Sequence, residues 1–331
     1  MIVDVHAHYL PQAMLDALEK RASDFPSIDV MHDGDSWKLA FAGGPPTRPI
    51  SPPLRKSDTR LKWMDDNRID AQVCGGWLDS FGYEIPAAEG EKWSRFINEQ
   101  LMRATESESR LAPLASVPMQ DGKLAARVLE EAIAAGFNGV MIGTQPRGGS
   151  GNLDDPDLNP FWEKAAELEA TVYMHPMFGC GDPRLADYDM INAVGRGVDT
   201  ATAIARMLFA GHFARYAGMT MVLSHGGGAL PFMQGRLQRN RALHADYGDP
   251  VKGLESCYYD TVLFDPRALR FLIECYGVEK IMMGSDYPFP IGDPAPCAVV
   301  ENAKLSAGDS RAILGDTAVK LFRLEGCGHA H

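Results

Sequence analysis

A chain of 331 residues, 45% hydrophobic and 23% charged, has the make-up of an ordinary globular protein with a substantial core. Its net charge of −12, from 32 basic and 44 acidic residues, argues against general nucleic-acid binding, which needs a basic surface to displace counterions. An anionic small molecule stays open as a partner, because a local arginine cluster can oppose the global charge.

The chain opens MIVDVHAHYLP, without the basic region and long apolar stretch of a signal peptide, and its first apolar run, Ile2–His6, reads as a strand. A segment from about Phe25 to Leu54, rich in Gly and Pro (GGPPTRPISPP), then breaks the rhythm; it predicts a small β excursion over Ile28–Phe41 and a proline-stiffened loop. From there helices and strands alternate: helix Thr59–Asn67 with Asp58 as its cap, strand Ala71–Gly75, helix Glu91–Glu106, strand Ala112–Val117, helix Lys123–Ala135, strand Gly139–Gly143. The pattern continues with helix Asn159–Glu169, strand Thr171–His175, helix Thr200–Tyr216, strand Thr220–His225 and helix Leu230–Arg241. Strand Cys257–Thr261, helix Pro266–Tyr276 behind the cap Asp265, and strand Lys280–Asp286 close the series.

Eight nearly continuous apolar strands, most followed by helices, predict a parallel sheet buried on both faces. The expected fold is α/β, a (β/α)8 TIM barrel with a small β/loop insertion (about 25–54) after the first strand-helix unit. One domain over 1–322 and a flexible tail, 323–331, complete the expected organisation. A doubly wound open sheet is the rival; it is less favoured because the chemistry sits at the ends of strands 1, 5, 6 and 8, which a barrel brings around one mouth. No apolar run approaches the ~20 residues that span a bilayer. The six cysteines are scattered without a CxxC pair, which reads as free thiols in a reducing compartment, so the expected location is cytoplasmic and away from membranes.

His6-Ala7-His8 follows the first apolar run directly. Residues two apart on a strand face the same way, so both imidazoles would aim into a barrel together and suit one divalent ion. His175 closes Val172-Tyr173-Met174, and His225 stands before three glycines in Ser224-His225-Gly226-Gly227-Gly228. Either histidine alone could be a satisfied core residue, although three glycines after His225 allow close backbone approach to a ligand. Asp286, in Met283-Gly284-Ser285-Asp286, ends the last strand, where burial without a cation or donors would cost several kcal/mol. Together these groups occupy the C-terminal ends of predicted strands, which points to a shared mononuclear metal site.

The motifs DVHAHYLP, VYMHP, LSHGGGALPFMQGR and MMGSDYPFP, in this order, resemble those of the amidohydrolase superfamily, in the branch typified by α-amino-β-carboxymuconate-ε-semialdehyde decarboxylase. The resemblance runs from Met1 to about Phe322. It implies that His6, His8, His175 and Asp286 bind the metal, usually zinc, with manganese the alternative used in a related aromatic-acid branch, and no organic cofactor. His225 would be the catalytic histidine with Asp286, and Arg48 of TRPI the arginine for the substrate carboxylate. Arg236 of FMQGR would enter a neighbouring subunit's site, which implies a homodimer. No lysine ends the fourth strand (Val140-Met141-Ile142-Gly143), so a carbamylated-lysine binuclear centre is not expected.

The activity so implied is non-oxidative decarboxylation of an unsaturated or aromatic carboxylic acid, in aromatic compound catabolism. Where the type enzyme is tryptophan-rich after its strand-5 HP, this chain reads Met177-Phe178-Gly179-Cys180 and Met190-Ile191-Asn192-Ala193. Those family positions line the pocket, so a different acid is expected, with Trp77, Phe178 and Phe289 as stacking candidates. The alternative is hydrolysis of an ester, lactone or amide, or hydration, by the same ion and its water. A non-catalytic metal-dependent binding protein fits the built site less well.

Overall fold

The computed structural model describes residues 1–106, 108–178 and 181–324. The predicted tail, apart from Arg323 and Leu324, lies outside the described residues, as do Gly179 and Cys180. Ten strands are formed among the described residues: β1 (Val3–His8), β2 (Ile28–Asp33), β3 (Ser36–Phe41), β4 (Ala71–Gly75), β5 (Leu111–Pro113), β6 (Val140–Gly143), β7 (Thr171–His175), β8 (Thr220–Leu223), β9 (Tyr258–Asp260) and β10 (Ile281–Met282). β2 and β3 pair antiparallel as a separate hairpin. The other eight are parallel and form two sheets, β1-β4-β5 and β10-β9-β8-β7-β6. The sheets meet at both edges through isolated parallel bridges, Ala115 to Val140 and Ala7 to Tyr287. Met141 N donates to Ala115 O at 2.9 Å across one junction, and Asp286 N to His6 O at 2.8 Å across the other.

Helices separate the strands because the apolar period switches from two to about 3.6. In Gly122–Ala134 the buried residues Ala125, Val128, Leu129 and Ala132 form one stripe, and the Asp121 carboxylate accepts from Lys123 N and Leu124 N to start the helix. Pro266–Tyr276 repeats the design: Asp265 accepts from Arg267 N at 2.8 Å, proline stands at the first position, and Leu269, Leu272 and Tyr276 are buried. Burying each such leucine contributes about 1.5–3 kcal/mol. Parallel strands between such helices are buried on both faces, and β1, β4, β6 and β7 are buried at every residue.

Several sequence expectations need correction: the strand expected over Ala112–Val117 is Leu111–Pro113, and that over Thr220–His225 ends at Leu223. The helix capped by Asp58 begins at Ser57, so Asp58 lies in its first turn, where its carboxylate accepts from Thr59 N at 2.7 Å. The helix expected over Thr200–Tyr216 is two pieces, Arg196–Phe209 and His212–Arg215, interrupted where Gly211 takes φ 73°. The last strand ends at Met282 and not at Asp286, its ladder stopping where its partner β9 ends at Asp260, and Asp286 itself adopts φ 60°, which no strand accommodates.

The hairpin β2–β3 falls within the Phe25–Leu54 segment, with Trp37, Leu39 and Phe41 packed in one cluster with Phe25, Trp77, Trp93 and Phe96. It thereby braces Trp77, which matters for the cavity described below. Cys74, Cys257, Cys275 and Cys297 are free thiols. Among the described residues no helix is long and apolar enough to cross a membrane.

Candidate metal centre

β1 delivers His6 and His8 from one strand, and each ring is fixed through its Nδ1. His6 Nδ1 lies 2.6 Å from Asp260 Oδ2, His8 Nδ1 3.0 Å from Gly76 O, and His175 Nδ1, at the end of β7, 2.7 Å from Pro176 O. An acceptor at Nδ1 puts the proton there and leaves Nε2 with a lone pair. The three Nε2 atoms turn towards Asp286, whose Oδ1 lies 3.4 Å from His6, 3.2 Å from His8 and 4.0 Å from His175. All four of these atoms are buried without a hydrogen-bond partner among the described residues. Four converging acceptors in a dry site repel one another, and a divalent cation satisfies them all, so the residues present fit such an ion.

His225 is the fifth group. Its Nε2 lies 3.5 Å from the other carboxylate oxygen, Asp286 Oδ2, and its side chain is 18% exposed. By proximity alone the tightest set is His6, His175, His225 and Asp286, with donor atoms within 4.8 Å of one another. The two criteria disagree over His8 and His225. His8 Nε2 is an orphan facing the shared oxygen, whereas His225 meets the second oxygen at the wetter side. His225 and Asp286 both sit in the left-handed region, at φ 53° and 60°, a strain that tends to persist where surrounding structure holds a functional group in place.

Charge follows from this packing. Burial, and after it the neighbouring His8, His225 and His6, pushes His175 well below its ordinary value and keeps it neutral, as a ligand must be. Burial would raise Asp286, but the neighbouring imidazoles of His6, His225 and His8 hold it well below the usual carboxylate range.

Asp260, at the end of β9, was missed by the sequence reading. Its Oδ2 receives Tyr173 Oη–H at 2.8 Å besides facing His6, and its Oδ1 accepts from Gly226 N at 3.0 Å and Val262 N at 3.1 Å. One carboxylate thus ties the His6 ring to β7 and to the glycine turn after His225. The available signal was an acid closing the short run Tyr258-Tyr259, the same pattern that drew attention to Asp286. Beneath the histidines, buried Asp4 accepts from Gln72 Nε2 and Ser285 Oγ at 2.8 and 2.6 Å, and the Arg60 guanidinium donates to His8 O and Gln72.

A cavity of about 250 Å³ opens beside the centre, lined by His175, Asp286, Arg48, Trp77, Phe289 and Arg196 among others. The Arg48 guanidinium lies 5.7 Å from the ring centres of both Trp77 and Phe289, with Nε 3.3 Å from Asp79 Oδ2. Phe178 is a correction. It is 40% exposed and absent from that wall, because Met177 takes the interior position after Pro176. Arg236 is exposed on helix Leu230–Arg241 and does not line this cavity. At Gly143, where a metal-bridging lysine would stand in a binuclear site, an added Cβ would fall 2.4 Å from Met177 Sδ.

Parallel strands alternating with helices, carrying converging His and Asp donors at strand ends, define an α/β enzyme with a metal-binding centre. A family model described as amidohydrolase matches residues 3–324, and the chain belongs to that family. Among its relatives is a 2-amino-3-carboxymuconate-6-semialdehyde decarboxylase of Dictyostelium discoideum, 28% identical over 98% of this chain and 92% of that one. A gamma-resorcylate decarboxylase of Polaromonas is 27% identical over 81% of this chain and 87% of its own. The crystal structure of Metarhizium anisopliae IDCase in apo form superposes with a TM-score of 0.81 at 25% identity, covering 98% of this chain and 97% of the other.

Proposed function

We infer that this protein is a metal-dependent, non-oxidative decarboxylase of an unsaturated or aromatic carboxylic acid. The observation that carries the reading is the set of four orphaned donors, His6, His8, His175 and Asp286, beside a cavity that also holds Arg48, with His225 Nε2 3.5 Å from Asp286 Oδ2. Relatives named as decarboxylases over nearly the full chain support it. Those four residues would hold the ion, with zinc first and manganese second. A divalent ion held there would supply Lewis-acid polarisation of the bound acid.

This chain's own groups do the rest. Arg48 binds and orients a carboxylate, its planar fork suiting two parallel hydrogen bonds. Trp77 and Phe289 stack on the conjugated body of the acid and keep water from it. His225, paired with Asp286 Oδ2, delivers a proton to the carbon bearing the departing carboxylate; the C–C bond breaks, its electron pair stays on that carbon until the proton arrives, and CO2 leaves. The reaction needs no oxidant and no organic cofactor.

On the same reading the eight parallel strands close into a (β/α)8 barrel, the bridges at both sheet edges being its seams, with the hairpin segment 25–54 inserted into a single domain over 1–322. The active form is a cytoplasmic homodimer in which exposed Arg236 reaches a neighbouring site. The test is CO2 release by metal-loaded protein from a panel of unsaturated and hydroxyaromatic acids, with Asp286→Asn as control. CO2 from one acid, absent in the control, is expected. Turnover of esters or lactones with no CO2 from any acid would overturn the reading in favour of a hydrolase.

A further inference from the structure

Arg196 belongs to no motif that drew attention in the sequence, yet it lines the same cavity as Arg48, His175 and Asp286. It begins the helix Arg196–Phe209 and is only partly accessible. Its Nε donates to Asn192 Oδ1 at 2.9 Å, and its Nη1 donates to the carbonyls of Pro176 and Met177 at 2.9 and 2.5 Å. Those carbonyls directly follow His175, so the guanidinium is anchored to the strand end that supplies a metal donor. Its Nη2 makes no hydrogen bond among the described residues, and no carboxylate there lies within ion-pairing distance of Arg196.

That is an unusual state for a cation. A mostly buried guanidinium whose hydrogen-bond partners are all neutral is compensated only at a distance, by the carboxylates of Asp286, Asp79 and Asp199, and a bound anion would offset the remaining cost of its burial. The acids nearby are committed elsewhere: Asp79 pairs with Arg48, Asp189 accepts from the Asn192 amide, Asp199 accepts from Thr144, Gln145 and Met177 N, and Asp286 faces the histidines. Burial first, and the like charge of Arg48 among the further causes, pushes Arg196 below its ordinary value, so two cations share one small cavity in a protein of net charge −12.

We propose that Arg196 reads a second acidic group on the substrate, so that the preferred acid carries one carboxylate to lose and another to keep. Arg48 alone suffices to orient one carboxylate. Arg196, held rigid by three hydrogen bonds with Nη2 left over, offers the second its donors. Asn192, in one of the stretches where the resembling type enzyme is tryptophan-rich, positions the arginine by accepting from Nε. The inference rests on the decarboxylase reading only for which carboxylate departs.

The experiment is calorimetric titration of the metal-loaded protein with benzene-1,3-dicarboxylate and with benzoate, in wild type, Arg196→Met and Arg196→Lys. Metal content and thermal transition are checked in each. Wild type is expected to prefer the diacid by about 10- to 100-fold, the worth of one charged hydrogen-bonding contact. Arg196→Met should bring the ratio near one, and Arg196→Lys, which keeps the charge without the fork, should retain part of it and serves if the methionine variant does not fold. An unchanged ratio in both variants, or equal weakening of both acids, overturns the proposal. CO2 release from hydroxyaromatic mono- and diacids by the same proteins separates the two readings. If the binding ratio collapses but no acid yields CO2, the decarboxylase reading fails and Arg196 keeps its role. If CO2 forms and the ratio does not move, Arg196 alone is wrong.

Discussion

Asp260 sets which nitrogen of His6 faces the centre, and it does so without touching the ion's position itself. Its Oδ2 lies 2.6 Å from His6 Nδ1, which fixes the tautomer and the ring plane and raises the basicity of Nε2. Asp260→Asn keeps the shape but forfeits the charge, so metal affinity should fall about 10- to 100-fold, read by competition with a chelating dye. Wild-type affinity in that variant would remove the aspartate from the centre's support. The contest between His8 and His225 is decided at the same scale. His225→Ala should keep its full complement of metal while kcat falls about 10²- to 10⁴-fold, the range for a lost proton-transfer group. Asp286→Asn should lose both metal and turnover, since the imidazoles of His6, His8 and His175 all turn towards its Oδ1. Metal loss from His225→Ala would put that residue among the ligands, as simple proximity groups it, and would move His8 out.

The glycine run after His225 shows how one element holds another in place. Gly228 has φ 60° and ψ −125°, a combination open to glycine and closed to L side chains, and an added Cβ would lie 2.6 Å from Gly197 O. Gly197 stands next to Arg196 at the start of the helix that walls the cavity, so the turn and the helix touch backbone to backbone. Gly228→Ala should therefore cost about 1–3 kcal/mol in urea unfolding. It should also impair turnover, because relieving the clash moves His225 or Arg196; a variant with unaltered stability would mean the contact yields easily. The elements most legible in the sequence are those with the least choice. Strands such as Val140–Gly143 and Thr171–His175, buried at every residue, leave little room for polar side chains away from their ends, and so they stand out. Leu230–Arg241 and Pro266–Tyr276 match their expected limits because proline, and for the second Asp265, mark the starts. Asp260 and Arg196 were hidden for opposite reasons. The first closes a strand of only three residues, and the second sits among Gly and Val on a helix whose depth is set by tertiary packing. Phe178 was over-read because aromatic character says nothing about which way a loop turns.

At the scale of the molecule, the donor set joins parts of the chain that are far apart in sequence. His6 comes from the first strand, His175 from β7, and Asp286 from beyond β10, at the junction where Asp286 N meets His6 O. An ion held by all of them clasps the two parallel sheets across that seam. Without it the converging lone pairs and carboxylate oppose folding, and protons can relieve only part of that repulsion because the rings are buried and their Nδ1 positions already engaged. Binding to the folded state alone stabilises it by RT ln(1 + [M]/Kd), about 4 kcal/mol when the ion is at a thousand times its Kd. For a chain of this size that corresponds to a rise in Tm on the order of 5 °C or more. Chelation should lower the unfolding midpoint by that amount, and zinc or manganese added back should restore it, the more tightly bound ion giving the larger recovery. Asp286→Asn should start near the chelated midpoint and respond to neither treatment. A wild-type midpoint indifferent to chelator, in protein shown by elemental analysis to have lost its metal, would mean that the seam is held by packing and backbone hydrogen bonds alone and that the centre serves chemistry only.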